Sequence, residues 1–249
     1  MRAAALLALA GMLGAGACER EPSGDGALSR TERRIDEELV PASAPAQREG
    51  LAAAIVIDVS GSMDDDVRDE SGRRQPKIEI ARRAAGDLVN QFARYAEDHP
   101  EEPVLLGLYE FSERSGEPDC RPVIAMARPD RARAEKALRS MRARGGTPIG
   151  NAMVTAKREL DATGLSRRHL LVVTDGENTD GFEPEAVAAA INRRPEAERP
   201  SLYFVAFDID ARRFEQVRQA GTLVLGAADA KDLNATLDSL LRGQILIEK

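Results

Sequence analysis

Short apolar runs alternate with amphipathic stretches from Leu51 to the end of the chain. Runs dense in Val, Ile and Leu predict strands at Ala53–Asp58, Val104–Phe111, Pro122–Met126, His169–Thr174, Leu202–Phe207 and Thr222–Leu225. They do not strictly alternate with polar residues, as expected of strands buried on both faces. Between them, apolar positions recur every three or four residues, the spacing of a helix with one buried stripe. In Ile78–Ala96 that stripe is Ile78, Ala81, Ala85, Leu88, Val89 and Phe92. Arg131–Arg142 follows an Asp130 cap, and Pro148–Leu160 starts with a proline at a first-turn position after Thr147. Pro184–Asn192, Arg212–Gln219 and Asp229–Leu241 complete the helices. Strands and helices in alternation imply an α/β doubly wound, mostly parallel sheet with helices on both faces. Only the loop Ser112–Arg121 separates the second and third strands, so Pro122–Met126 is expected as one antiparallel edge strand.

The N-terminus follows another pattern. Arg2 precedes an apolar, Ala/Leu-rich run from Ala3 to Ala17, followed by Cys18. This is the shape of a signal peptide over residues 1–17. Small residues Gly16-Ala17 before a cysteine resemble a bacterial lipoprotein cleavage site, with Cys18 as the lipidated new N-terminus; an ordinary signal peptide cut near Ala17 is the alternative. Glu19 is not the Asp that would argue for inner-membrane retention, so the expected location is a lipid-anchored position in the bacterial cell envelope, on the outer membrane facing the periplasm or the cell surface, with the outside of the cytoplasmic membrane as the alternative. Glu19–Gly50 is poor in large apolar residues and rich in Pro, Ala, Ser, Gly and charge, which reads as a flexible tether over residues 18–50. A coil of that length spans roughly 30 Å. Within it, Ser29-x-x-Glu32 has capping-box spacing, so Ser29–Leu39 is a helix candidate with a thin apolar face of Ile35, Leu39 and Val40. The globular domain is expected over residues 51–249.

Composition narrows the function. The net charge of −7 disfavours nucleic acid as a partner. No apolar run reaches the roughly eighteen residues of a spanning helix. The chain has two cysteines and two histidines. If Cys18 carries lipid, Cys120 is a lone thiol. His99 precedes Pro100 at a helix end, and His169 starts a strand beside Arg167 and Arg168; neither makes a zinc site.

The candidate chemistry is oxygen-based. Asp58-Val59-Ser60-Gly61-Ser62 directly follows the first apolar run. Thr147 lies in Gly145-Gly146-Thr147-Pro148-Ile149-Gly150, and Asp175 follows Leu170-Leu171-Val172-Val173-Thr174. Taken singly, the first is a turn or cap sequence, Thr147 a helix N-cap and Asp175-Gly176 a turn. Together they lie at strand ends or in loops, and ligands of open α/β sheets bind beyond the carboxyl ends of the strands. A small hard cation such as Mg²⁺ takes about six oxygens near ~2.1 Å. Carboxylates supply charge and hydroxyls supply neutral oxygens, while Gly61 lets one loop present both serines.

In these residues the chain resembles the von Willebrand factor A domain family, over roughly Leu51 to Ile247. Asp58, Ser60, Ser62, Thr147 and Asp175 match that family's metal-ion-dependent adhesion site. The resemblance implies Mg²⁺ or Mn²⁺, with Ser60, Ser62 and Thr147 as direct ligands and Asp58 and Asp175 acting directly or through water. It implies a non-enzymatic module whose cation bridges to an acidic residue of a protein partner. It also implies that Asp229–Leu241, the last helix, is the element that would shift if affinity is switched. A scaffold or regulatory subunit binding independently of the metal is the second reading. A phosphohydrolase lacks support, since these motifs contain no second metal, phosphate clamp or P-loop. The acidic run Asp64-Asp65-Asp66 and the polar loop to Pro76 read as a solvated loop, or as a specificity or second cation site. Glu177, Asp180 and Glu183 are expected to rim the same face. Asp208 and Asp210 add negative field at a strand end and are not expected as ligands.

Overall fold

The structure is a computed structural model and describes residues 28–41, 48–69 and 71–247. The signal peptide and Cys18 lie outside the described residues. Helix α1 (Arg30–Glu38) precedes strand β1 (Arg48–Asp58). A 3₁₀ turn, Gly61–Asp64, leads to a small hairpin of β2 (Asp66–Arg68) and β3 (Arg74–Pro76). Then follow α2 (Lys77–Asp98), β4 (Val104–Phe111), β5 (Cys120–Ala127), α3 (Arg131–Leu138) and α4 (Ile149–Thr163). The chain continues through β6 (Leu165–Thr174), α5 (Pro184–Arg193), β7 (Ser201–Phe207), α6 (Glu215–Gln219), β8 (Leu223–Ala227) and α7 (Ala230–Leu240).

Six strands form one sheet in the order β5-β4-β1-β6-β7-β8. Only β5 is antiparallel, pairing with β4 at the edge, as its short connection requires. The other five run parallel. Side-chain alternation along β1 divides the core. Leu51, Ala53, Ile55 and Ile57 face a cluster with α2, α3 and α7. Ala52, Ala54 and Val56 face a second cluster with α1, α4, α5 and α6. Both faces of the central strand are therefore apolar, which explains the unbroken run in the sequence. The chain leaves β1 toward β4 on one side and later fills β6, β7 and β8 on the other. The reversal opens a crevice at the carboxyl ends of β1 and β6, where such sheets bind ligands.

Several expectations are corrected. The flexible tether does not hold for Leu28–Pro41 or Arg48–Gly50. Helix α1 is closed by a full capping box: the Ser29 hydroxyl accepts from the Glu32 amide at 3.1 Å, and the Glu32 carboxylate accepts from the Ser29 amide at 2.8 Å. Its thin stripe suffices because Ile35 and Leu39, one turn apart, are both fully buried against the second cluster. Strand β6 begins at Leu165, four residues before the expected start, so His169 sits mid-strand. Arg167 and Arg168 disguised that start. Arg168 is buried, and its two terminal guanidinium nitrogens donate to the Asp161 carboxylate at 2.8 Å and to the Ala197 carbonyl. Helix α3 ends at Leu138, short of Arg142, because the chain turns to bury Met141. Pro148 is the N-cap of α4, and its first-turn position falls to Ile149. Arg212–Gln219 is a 3₁₀ turn, Ala211–Phe214, running into the short α6. Cys120 opens β5 as a buried free thiol, and burial pushes its pKa up to about 12. Among the described residues, no helix is long and apolar enough to cross a membrane.

Candidate metal centre

Asp58 is the last residue of β1 and is completely buried. One carboxylate oxygen accepts from the Ser60 amide at 2.7 Å, and the other accepts from the Thr174 hydroxyl at 2.6 Å. Those bonds hold the start of the first loop against the end of β6. Ser60 is the residue that precedes the 3₁₀ turn, and the turn brings Ser62 back so that the two hydroxyl oxygens lie 3.1 Å apart. The Ser62 hydroxyl then donates to Asp175 at 2.8 Å. Four of the five residues singled out in the sequence are therefore linked directly or through one neighbour.

Thr147 enters from the second loop. The Gly61 amide donates to the Gly145 carbonyl at 3.0 Å, and the Arg144 amide donates to the Val59 carbonyl at 2.7 Å. These backbone bonds lock the first two loops together. Gly145 has φ +88°, and a side chain there would run into the Glu113 carbonyl, so the close approach requires glycine. The Thr147 amide donates to the Thr179 hydroxyl at 2.8 Å, and the Thr179 amide returns a bond to the Thr147 carbonyl at 3.1 Å. Asn178 accepts from the Ile149 amide at 2.9 Å. The third loop thus clamps the second. A methyl group placed on Gly176 would lie 3.7 Å from the Thr147 hydroxyl and 3.8 Å from that of Ser62. The Thr147 and Ser62 hydroxyls therefore converge beside Gly176.

Thr174, Asn178 and Thr179 escaped the sequence reading. Each acts through neighbours, and polar residues after a strand are too common to carry a signal. Lys77 was missed for a different reason: the apolar stripe of α2 begins at Ile78. Its ammonium lies 2.9 Å from Asp175 and 2.9 Å from Asp208, with the side chain almost fully buried. A lysine at the start of a helix opposes the helix dipole. That mismatch was the available clue to a carboxylate partner. Asp208, at the end of β7, is the single non-glycine residue with positive φ among those described, at +53°. Asp210, by contrast, caps the following 3₁₀ turn and pairs with Arg212. Of the expected rim, Glu177 pairs with Arg213, Asp180 accepts from the Thr179 hydroxyl at 2.6 Å, and Glu183 is the N-cap residue of α5.

The acidic loop divides in two. Asp64, Asp65 and Asp66 are exposed. Asp69, absent from the sequence reading, organises the hairpin by accepting from the Ser71 amide and hydroxyl and from the Arg73 amide at 2.7–2.9 Å. The Ser71 hydroxyl leads the interactions that pull the Asp69 pKa down to about 2.

The electrostatics of Asp58 are unfavourable without a cation. Burial, and after it the charge of Asp175, push its pKa up to about 7 against the opposing hydrogen bonds from Thr174 and Ser60. Lys77 is held above its usual value: burial works against its charge, and the Asp175 and Asp208 carboxylates together outweigh it. Among the described residues, no three His, Cys, Asp or Glu side chains gather to hold a metal. A cation here must therefore draw on two carboxylates supplemented by hydroxyls. That donor set fits a hard dication and does not fit zinc.

The von Willebrand factor type A domain family matches residues 53–177, from β1 through the Asp175 loop. The chain belongs to that family. Domains of the family are typically protein-interaction modules and are generally not enzymes. Solved structures with the same fold include a von Willebrand factor type A protein from Catenulispora acidiphila, with 20% identity and a TM-score of 0.58, covering 77% of this chain and 42% of that one. The PilB minor pilin from Streptococcus sanguinis has 11% identity and a TM-score of 0.58, with 82% of this chain and 63% of that one covered. BatB from Bacteroides thetaiotaomicron has 18% identity and a TM-score of 0.56, with 78% and 98% covered. The chain thus spans less than two thirds of the first two and nearly all of the third. No curated protein matches the chain.

Proposed function

We propose that this domain is a metal-dependent protein-binding module. A dication, Mg²⁺ or Mn²⁺, would be held by the hydroxyls of Ser60, Ser62 and Thr147, with Asp58 and Asp175 acting directly or through water. Two carboxylates nearly neutralise one dication and leave its coordination incomplete. A Glu or Asp of a partner protein then fills the open position. The observation that carries this reading is Asp58: a fully buried carboxylate, raised to about 7 by burial and by Asp175, beside converging hydroxyls. A cation relieves that cost.

A second reading has its own support. Lys77 already supplies a cation to Asp175. On that reading the domain is a scaffold or regulatory subunit of an envelope assembly and docks through other surfaces.

Calorimetric titration of the full chain with Mn²⁺ and Mg²⁺ separates the two. Binding is expected for the native chain and loss of binding for Asp58→Ala, with far-UV circular dichroism unchanged. Retained affinity in Asp58→Ala would sink the metal reading. We also propose that the chain is lipid-anchored through Cys18 in the bacterial envelope, on the outer membrane, on the strength of the segment ending Gly16-Ala17-Cys18. Cell fractionation tests this: the native chain should sediment with membranes and a Cys18→Ser chain should not.

A further inference from the structure

Lys77 is too well built to be a bystander. It is the first residue of α2, its side chain is 8% exposed, and its ammonium sits 2.9 Å from each of two carboxylates. Its backbone amide donates to the Asp65 carbonyl at 2.9 Å, which fixes it to the loop that carries Ser60 and Ser62. The other acceptor, Asp208, adopts the left-handed backbone region that non-glycine residues rarely enter. Its amide donates to the Ala227 carbonyl at 2.7 Å, so β8 holds it in that conformation. The two oxygens of Asp175 face different partners: Ser62 on one side and Lys77 on the other.

We propose that Lys77 is a resident counter-cation that shares Asp175 with the metal and sets the metal affinity of the site, with Asp208 holding the ammonium when the metal is bound. This rests on the metal reading above. The charges explain the arrangement. Ionised Asp58, Asp175 and Asp208 carry three negative charges, and Lys77 cancels one, leaving the two that one dication neutralises. A metal near Asp175 repels the ammonium, but the ammonium need not leave the pocket because Asp208 is already in contact. Lys77 therefore weakens cation binding without abolishing it, and keeps the loaded site close to neutral so that a partner's carboxylate is not repelled.

The decisive property is that the two halves of one ion pair act in opposite directions. Lys77→Met leaves three negative charges and should raise Mn²⁺ affinity at least about tenfold. Asp208→Asn leaves the ammonium on Asp175 alone and should lower it by about the same factor. The double variant has the net charge of the native site and should return to within a few-fold of native affinity. A purely structural role would lower affinity in all three. The experiment is Mn²⁺ titration of the full chain and each variant by calorimetry, with Lys77→Gln as a second neutral replacement and circular dichroism to verify folding. Opposed shifts with recovery in the double variant support the proposal. So does binding that appears only after Lys77 is neutralised. Native binding with unchanged or weakened binding in both folded Lys77 variants overturns this proposal and leaves the metal reading standing. No binding by native chain or any variant overturns both.

Discussion

Asp58 and His169 are both buried ionisable residues of the central sheet, and they respond to acid with opposite sign. His169 is completely buried in β6, with its Nδ1 3.3 Å from the Tyr203 hydroxyl and its ring stacked on Tyr203. Burial, helped by the charge of Arg167, lowers its pKa to about 4. The unfolded chain takes up that proton near the ordinary value of about 6.5, before the folded one does. Its contribution to stability is therefore whole above pH ~6.5 and is lost down to pH ~4, by about 3 kcal/mol in total. Asp58 works the other way: its raised pKa means the metal-free fold gains stability as pH falls from about 7 through the same window. The measurement must therefore be differential. Urea unfolding at pH 7 and pH 4, in Mg²⁺-free buffer, should show a smaller acid loss for His169→Asn than for the native chain. Equal acid losses in the two chains would refute the assignment. The sequence showed His169 beside two arginines but not its burial, because burial depends on β7 lying alongside.

At the scale of elements, what was legible followed from burial on two faces. β4 was bounded correctly to the residue because its apolar run is broken only at Gly107 and Glu110 and apolar residues stand at both of its ends. Boundaries slipped where a charge found a buried partner. Arg167 and Arg168 hid the start of β6, and Lys77 hid the start of α2; each is solvated in a sequence reading and paired in the fold. The hairpin β2–β3 was illegible because its order comes from one carboxylate, Asp69, bonding to its own loop and not from an apolar stripe. Helix α1 is the clearest case of a local signal that composition masked. Its capping box was visible, yet its docking depends on space left by α4 and α5 under Ile35 and Leu39. The fully buried Lys157 adds a bond to the Leu39 carbonyl at 3.2 Å. Leu39→Ala should destabilise the domain by about 2–4 kcal/mol, read by urea or thermal unfolding. A change below about 0.5 kcal/mol, the usual size for surface sites, would mean that α1 is an undocked tail.

For the molecule as a whole, the site is a product of topology. Its five candidate residues come from three loops separated by up to 117 positions, yet the reversal of strand order at β1 and β6 delivers them to one crevice. The order of short apolar runs was enough to predict that convergence. Asp208 was expected only as negative field at a strand end; its ion pair with Lys77 was not predictable, since it depends on α2 and β7 meeting across the sheet end. The loop that carries Ser60 and Ser62 runs on into exposed Asp64, Asp65 and Asp66, which add negative charge beside it.

The central claim is that a protein partner binds through the metal. The most direct measurement is capture of partners from envelope extract by the full chain in three conditions: with Mg²⁺, with chelator, and with Asp58→Ala in Mg²⁺. A partner held only by the native chain with Mg²⁺ is the predicted result. A partner retained equally in all three conditions would contradict it and place recognition on surfaces away from Asp58.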